Sequence, residues 1–135
     1  MSTATSLITG VDFVSVPTRD LTEAIAFYEN VLGLERSNVY QRPGQEPVGA
    51  EFETGTVTIA LLACEKLGIP FQPHEVPIAL RVDDVEVARA ELESRGVEFL
   101  GETIDSGVCH QAIFADPDGN KLDLHHRYAP RNGAG

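Results

Sequence analysis

Apolar and polar positions alternate at period two over residues 8–17, with Val14 and Val16 on one side and Phe13, Ser15 and Pro17 on the other. That pattern predicts a strand buried on one face and ended by a proline. The period then changes. Leu21, Ala24, Ile25, Tyr28, Val31 and Leu32 recur at helical spacing, Asp20 is placed as an N-cap with Glu23 three residues on, and Gly33 is placed to stop the helix. Strand patterning returns over 34–41, 48–53 and 57–64, broken by a Pro/Gly loop at 42–47 and a Thr54-Gly55 turn. The first half therefore reads as strand, helix and three strands.

After a connection containing Gly68, Pro70 and Pro73, the same order repeats. Residues 76–82 alternate with Ile78, Leu80 and Val82 on one face. Asp83-Asp84 caps a helix in which Val85, Ala88 and Leu92 share a side, and Gly96 ends it. Segments 97–101, 107–115 and 120–126 supply three more strands. The helix-ending glycines, Gly33 and Gly96, lie 63 positions apart, which marks an internal duplication. The expected organisation is a single domain over 7–128 built of two βαβββ repeats, about 7–64 and 76–128. The tail at 129–135 has nothing to bury and is expected to be mobile.

The last two strands are joined by Asp116-Pro-Asp-Gly-Asn120. Proline fixes one φ, glycine and asparagine tolerate positive φ, and aspartate oxygens bond the backbone two residues on, so the segment reads as a hairpin turn. Beyond it, Leu122 and Leu124 point one way, Asp123 and His125 the other. A carboxylate and an imidazole thus share one face.

Composition narrows the possibilities. At 135 residues the chain is one domain by length, able to bury about two-thirds of its unfolded surface. Ten Lys and Arg against 21 Asp and Glu give a net charge of −11, which argues against nucleic acid and anionic membranes as partners and would attract a cationic ligand. No apolar run approaches a membrane span, and the first six residues lack a basic start followed by an apolar core. Cys64 and Cys109 form no CxxC pattern. Free thiols and a cytoplasmic location are the expectation. The chain has no Gly-rich phosphate loop, no Gly-x-Ser-x-Gly and no basic stripe.

The duplicated order, the Asp116-Pro-Asp-Gly-Asn120 turn and the run Asp20-Leu-Thr-Glu-Ala-Ile-Ala-Phe-Tyr-Glu-Asn-Val-Leu-Gly-Leu34 together resemble the vicinal oxygen chelate superfamily. That group holds glyoxalase I, extradiol dioxygenases, fosfomycin-resistance transferases and bleomycin-resistance binding proteins. The resemblance covers residues 8–128. It implies an α+β fold in which two βαβββ modules form an incompletely closed eight-stranded barrel around a cavity, helices outside, often in a homodimer. It also implies metal ligands on the first and last strands of each repeat, which map to Phe13, Ala60, Pro77 and Asp123. Three of these four cannot bind a metal, so no cofactor is expected at the family positions. A displaced divalent ion on Asp123, His125 and Gln111 is the remaining metal candidate.

Carrying the same parity along each repeat gives the cavity face. In the first repeat it comprises Phe13 and Ser15, then Thr58, Ala60 and Leu62. In the second it comprises Pro77, Ala79 and Arg81, then Gln111 and Ile113, then Asp123 and His125. A mostly apolar surface with sparse polar groups is how small organic ligands are held. A filled barrel without a cavity is the alternative for the same positions. Only one of His110 and Gln111 can face inward, and His125 reads either as a pocket residue or as a hydrogen-bonded structural one. His74 is expected on the solvated connection and His126 on the opposite face, while Cys109 reads as a buried small hydrophobe.

Three functions fit this sequence. The first is a metal-independent small-molecule binding protein, similar to the bleomycin-resistance branch, for an apolar or cationic organic ligand. The second is a lyase, isomerase or dioxygenase in which Asp123 and His125 serve as acid and base or hold a displaced metal. The third is a dimeric interaction module with a filled barrel.

Overall fold

A computed structural model describes residues 5–131. Strand β1 (Phe13–Thr18) leads into helix α1 (Leu21–Ala26), where the Asp20 carboxylate accepts from the Glu23 backbone N–H at 3.1 Å. The helix does not run regularly to Leu32. It widens into a π-helical turn at Phe27–Val31, with the Leu32 N–H reaching the Phe27 carbonyl. Gly33 then reverses the chain at φ 74°, a value that a Cβ would penalise. Strands β2 (Glu35–Tyr40), β3 (Gly49–Glu53) and β4 (Thr58–Ala63) complete the first module.

The second module repeats this plan with β5 (Ile78–Arg81), α2 (Val85–Ser94), β6 (Ile104–Asp105), β7 (Cys109–Ala115) and β8 (Lys121–Arg127). Asp84 caps α2 through the Val87 N–H at 3.0 Å, and Gly96 follows it at φ 92°. One sequence expectation needs correction. Segment 97–101 is no strand; only Phe99 bridges to Phe114, and the second strand of the module is the two-residue β6 further on. Gly101 turns the chain at φ 85°, and the Arg89 guanidinium holds its carbonyl and the Thr103 hydroxyl, which moves the pairing downstream.

Two four-stranded sheets result, ordered β1-β4-β3-β2 and β5-β8-β7-β6, with no strand pairing between them and no closed barrel. In each sheet the first and fourth strands run parallel, which a helix crossover permits. Val16, Phe52, Ile59 and Leu61 of the first sheet and Phe114, Leu122 and Leu124 of the second join residues of both helices in one core. The buried parity is the one the sequence pattern predicts. Each sheet therefore spends its apolar face on the shared core and leaves its other face turned away from it.

Residues 132–135 of the expected mobile tail lie outside the described residues. Ala129 is tied down, its N–H bonding the Val108 carbonyl at 3.2 Å. Among the described residues, no helix is long and apolar enough to cross a membrane.

A buried polar knot ties the modules together. Asn120, fully buried, donates to the Pro17 carbonyl and to Asp116, each at 2.9 Å, and accepts from the His74 N–H at 2.8 Å. Truncating it strands these groups, so Asn120→Ala should lower the free energy of unfolding by about 2–3 kcal/mol in urea titrations. Tyr28→Phe, which removes a single donor to Asp116, should cost about 1–2 kcal/mol. An equal or larger loss for Tyr28→Phe would show that the knot is not centred on Asn120.

Candidate functional site

On the face of the second sheet turned away from the core, strand register aligns side chains into rows. Arg81 on β5 pairs with His125 on β8, and His125 pairs with Gln111 on β7. The next row is Ala79, Asp123 and Ile113. Pro77 precedes β5 by one residue. The choice between His110 and Gln111 is thereby decided for Gln111. His110 lies on the opposite side, its Nε2 3.4 Å from the Asp105 carboxylate. His126 faces away too, its Nδ1 3.2 Å from the Val82 carbonyl, and the His74 N–H is committed to Asn120.

The first sheet presents the matching face. Phe13 pairs with Thr58, Ser15 with Ala60 and Pro17 with Leu62. The register continues from Ala60 to Glu51 and from Leu62 to Gly49, then to Asn38 and Tyr40 on β2. Glu51, Glu53 and Tyr40 thus share the face with the predicted residues, and the sequence reading placed neither Glu51 nor Glu53 there. The signal was in the alternation of Glu51 and Glu53 about Phe52, whose burial fixes the parity. Here the polar groups are already engaged. Glu53 accepts from the Thr58 hydroxyl at 2.7 Å and from Ser37, and these bonds hold its carboxyl below the usual range. Glu51 accepts from the Asn38 amide at 3.4 Å.

On the second sheet they are not engaged. Asp123 is 5% exposed, and its Oδ1 is buried without a hydrogen-bond partner. Burial pushes its carboxyl above the ordinary aspartate value, offset in part by the His125 charge and the Ala112 backbone N–H. Arg81, His125 and Gln111 make no side-chain hydrogen bond or ion pair among the described residues.

The donor set does not fit the metal that the sequence resemblance implies. Phe13, Ala60 and Pro77 offer no side-chain ligand atom. Among the described residues no three His, Cys, Asp or Glu side chains gather closely enough to hold an ion.

A cavity of about 660 Å³ lies elsewhere. It opens between the modules and is lined by core-side residues such as Val14, Ile59, Ile78 and Leu80, with Glu91 of α2. Of the predicted ligand residues only Ala79 and Arg81, at the free edge of β5, reach it. In the single chain Phe13, at 49%, Ser15, Ala79 and Arg81 of the predicted face are exposed, while Ala60 and Asp123 are buried.

Comparison with known proteins matches residues 10–124 to the family model described as Glyoxalase/Bleomycin resistance protein/Dioxygenase superfamily. A curated relative, Glyoxylase I 4 of Arabidopsis thaliana, is 26% identical over 129 residues, covering 87% of this chain and 70% of that protein. TnmS3, an antibiotic binding protein from Streptomyces sp. CB03234, superposes with a TM-score of 0.75 at 26% identity, covering 91% of this chain and 99% of that one. A superfamily member from Sphaerobacter thermophilus DSM 20745 gives a TM-score of 0.76 at 24% identity, covering 89% and 98%, a likeness of fold.

The unpartnered Asp123 yields a stability prediction with a definite sign. Folding raises its pKa, so the folded state holds the proton more tightly than the unfolded one. Stability from this group is greatest below the unfolded aspartate value and is lost as pH rises through the folded value. The neutral isostere escapes that loss. Asp123→Asn should therefore raise the melting temperature at pH 7, with the gain shrinking as the buffer is acidified toward the ordinary aspartate pKa. A variant that melts lower at neutral pH would show that the carboxylate is satisfied in the folded protein.

Proposed function

The chain belongs to the Glyoxalase/Bleomycin resistance protein/Dioxygenase superfamily, and we propose that within it this protein is a metal-independent small-molecule binding protein. The observation that carries the reading is the pairing of mainly apolar faces, Phe13, Ala60, Leu62, Ala79 and Ile113, with a few polar side chains left unsatisfied beside them. Apolar area supplies affinity, and the sparse polar groups fix orientation. The antibiotic binding protein from Streptomyces sp. CB03234, similar over nearly its whole length, supports an organic ligand.

We also propose a homodimer. Strands β1 and β5 are both free on one edge. Val11, Phe13 and Val76 are exposed near them, and Val14 of β1 and Ile78, Ala79 and Leu80 of β5 contribute to the wall of the cavity between the modules. A second copy laid along these edges would cover that strip and bring one module's open face toward another's. The buried free thiols Cys64 and Cys109 suit a reducing cytoplasm.

A second reading has its own observation in its favour. Asp123, its carboxyl raised by burial, neighbours His125 on one strand, an arrangement suited to acid and base roles in a lyase, isomerase or dioxygenase. Asp123→Asn and His125→Ala would then each abolish turnover while leaving the fold intact.

Chelator-treated protein should bind at least one member of a broad panel of apolar and cationic organic compounds, read as a rise in melting temperature that added divalent metal does not change. Sedimentation equilibrium should report twice the chain mass. Failure of every compound to bind the metal-free protein would overturn the binding reading, and a monomer would overturn the dimer.

A further inference from the structure

The geometry of the second sheet points to the chemical class of ligand, an inference that rests on the binding reading above. We propose that this face is a subsite for a zwitterionic small molecule, with Asp123 taking its ammonium group and Arg81, beside His125 and Gln111, taking its carboxylate.

Several charged groups around Asp123 already have partners or lie on the other face. Lys121 shares the face of Asp123 but lies 3.9 Å from the Glu75 carboxylate. Arg127, two residues beyond His125 on the same face of β8, makes only long contacts, 3.7 Å to the Cys109 sulfur and 3.5 Å to the Pro130 carbonyl, and keeps a buried Nε unpaired. His110 and His126 are held on the opposite side. Apart from Arg127, at the end of β8, what remains is one compact set of four side chains: the row Arg81, His125 and Gln111, and Asp123 one row away. None of the row's three side chains has a partner among the described residues, and Asp123 keeps a buried oxygen unpaired. Folded proteins satisfy nearly all buried polar atoms, so an orphan oxygen in a built sheet calls for a donor from outside the chain.

Two further points select the class. Arg81 and Asp123 carry opposite charges on neighbouring strands, yet no ion pair joins them. Strand spacing and rise put such diagonal positions about 8 Å apart. A ligand with one charge would satisfy one end and leave the other bare, and a lone metal ion on Asp123 would sit beside a free guanidinium. A molecule carrying both charges across a short apolar spacer satisfies both. The spacer has its own surface, because Ala79 and Ile113 flank Asp123 on the adjacent strands.

Chemical-shift titration of the isotope-labelled full chain with a matched set of para-substituted benzenes tests this. 4-(Aminomethyl)benzoate carries both charges, 4-methylbenzylamine only the ammonium, 4-ethylbenzoate only the carboxylate and 4-ethyltoluene neither. The zwitterion should bind at least about tenfold tighter than either singly charged probe, roughly one charge-assisted hydrogen bond's contribution. Asp123→Asn should erase its advantage over 4-ethylbenzoate and keep that over 4-methylbenzylamine; Arg81→Gln should do the reverse. The same spectra report whether each variant is folded. Equal binding of all four probes would overturn the zwitterion assignment and leave the binding protein standing. Equal losses for every probe in both folded variants would overturn it as well, and no binding by any probe would count against both readings.

Discussion

The carboxylate of Asp116 is the constraint on which the rest of the structure depends. It is 5% exposed and accepts four hydrogen bonds: from the Tyr28 hydroxyl at 2.7 Å, the Asn120 amide at 2.9 Å and the backbone N–H groups of Asp118 and Asn120 at 2.9 and 3.0 Å. Burial and the Asp116 charge keep the Tyr28 proton in place far above the usual tyrosine range. Through Tyr28 the carboxylate holds the π-helical turn of the first module, and through Asn120 it holds the end of β1 and the connection between modules. Hydrogen bonds in such a network stiffen one another, and a half-satisfied one is costly. This turn of the second module is thus where the two modules are fastened together.

That fastening decides where the open surfaces are. The modules meet through their helix-bearing sides, so their apolar sheet faces merge into one core. The opposite faces and the edges of β1 and β5 are left without a partner in the chain. A sheet edge with exposed apolar residues beside it is unstable toward pairing. The proposed dimer and the proposed pocket therefore draw on the same leftover surface.

Much of this was legible in the sequence. Period two shows which face of each strand is buried, and the register pairs Asp123 with Ala79 and Ala60 with Ser15 in corresponding places of the two modules. Local signals also suffice for Asp20 and Asp84 as caps. Other features depend on contacts that no local pattern carries. The π-helical turn serves the placement of Tyr28 on a residue 88 positions away, and β6 is displaced by an arginine that grips Gly101. Glu51 and Glu53 escaped notice because acidic residues in a strand read as solvent-facing whether or not that face is functional. The cavity between the modules is lined by residues as far apart in the chain as Val14 and Leu124, a relation that periodicity does not encode.

Comparing Asp116 with Asp123 separates structure from function more sharply than the fold does. The two carboxylates are equally buried, within eight residues of each other on the same hairpin. One collects four donors, and the other keeps an oxygen with none. Burial alone cannot explain the difference, since it penalises both charges alike. The first sheet shows that the fold supplies donors where stability is served: Ser37 and Thr58 satisfy Glu53 on the equivalent face. Corresponding faces of the two modules thus treat an acidic side chain in opposite ways, Glu53 with donors and Asp123 Oδ1 without. An unsatisfied charge held at a cost in stability is what a site requires, because the missing bond is the one a ligand can form.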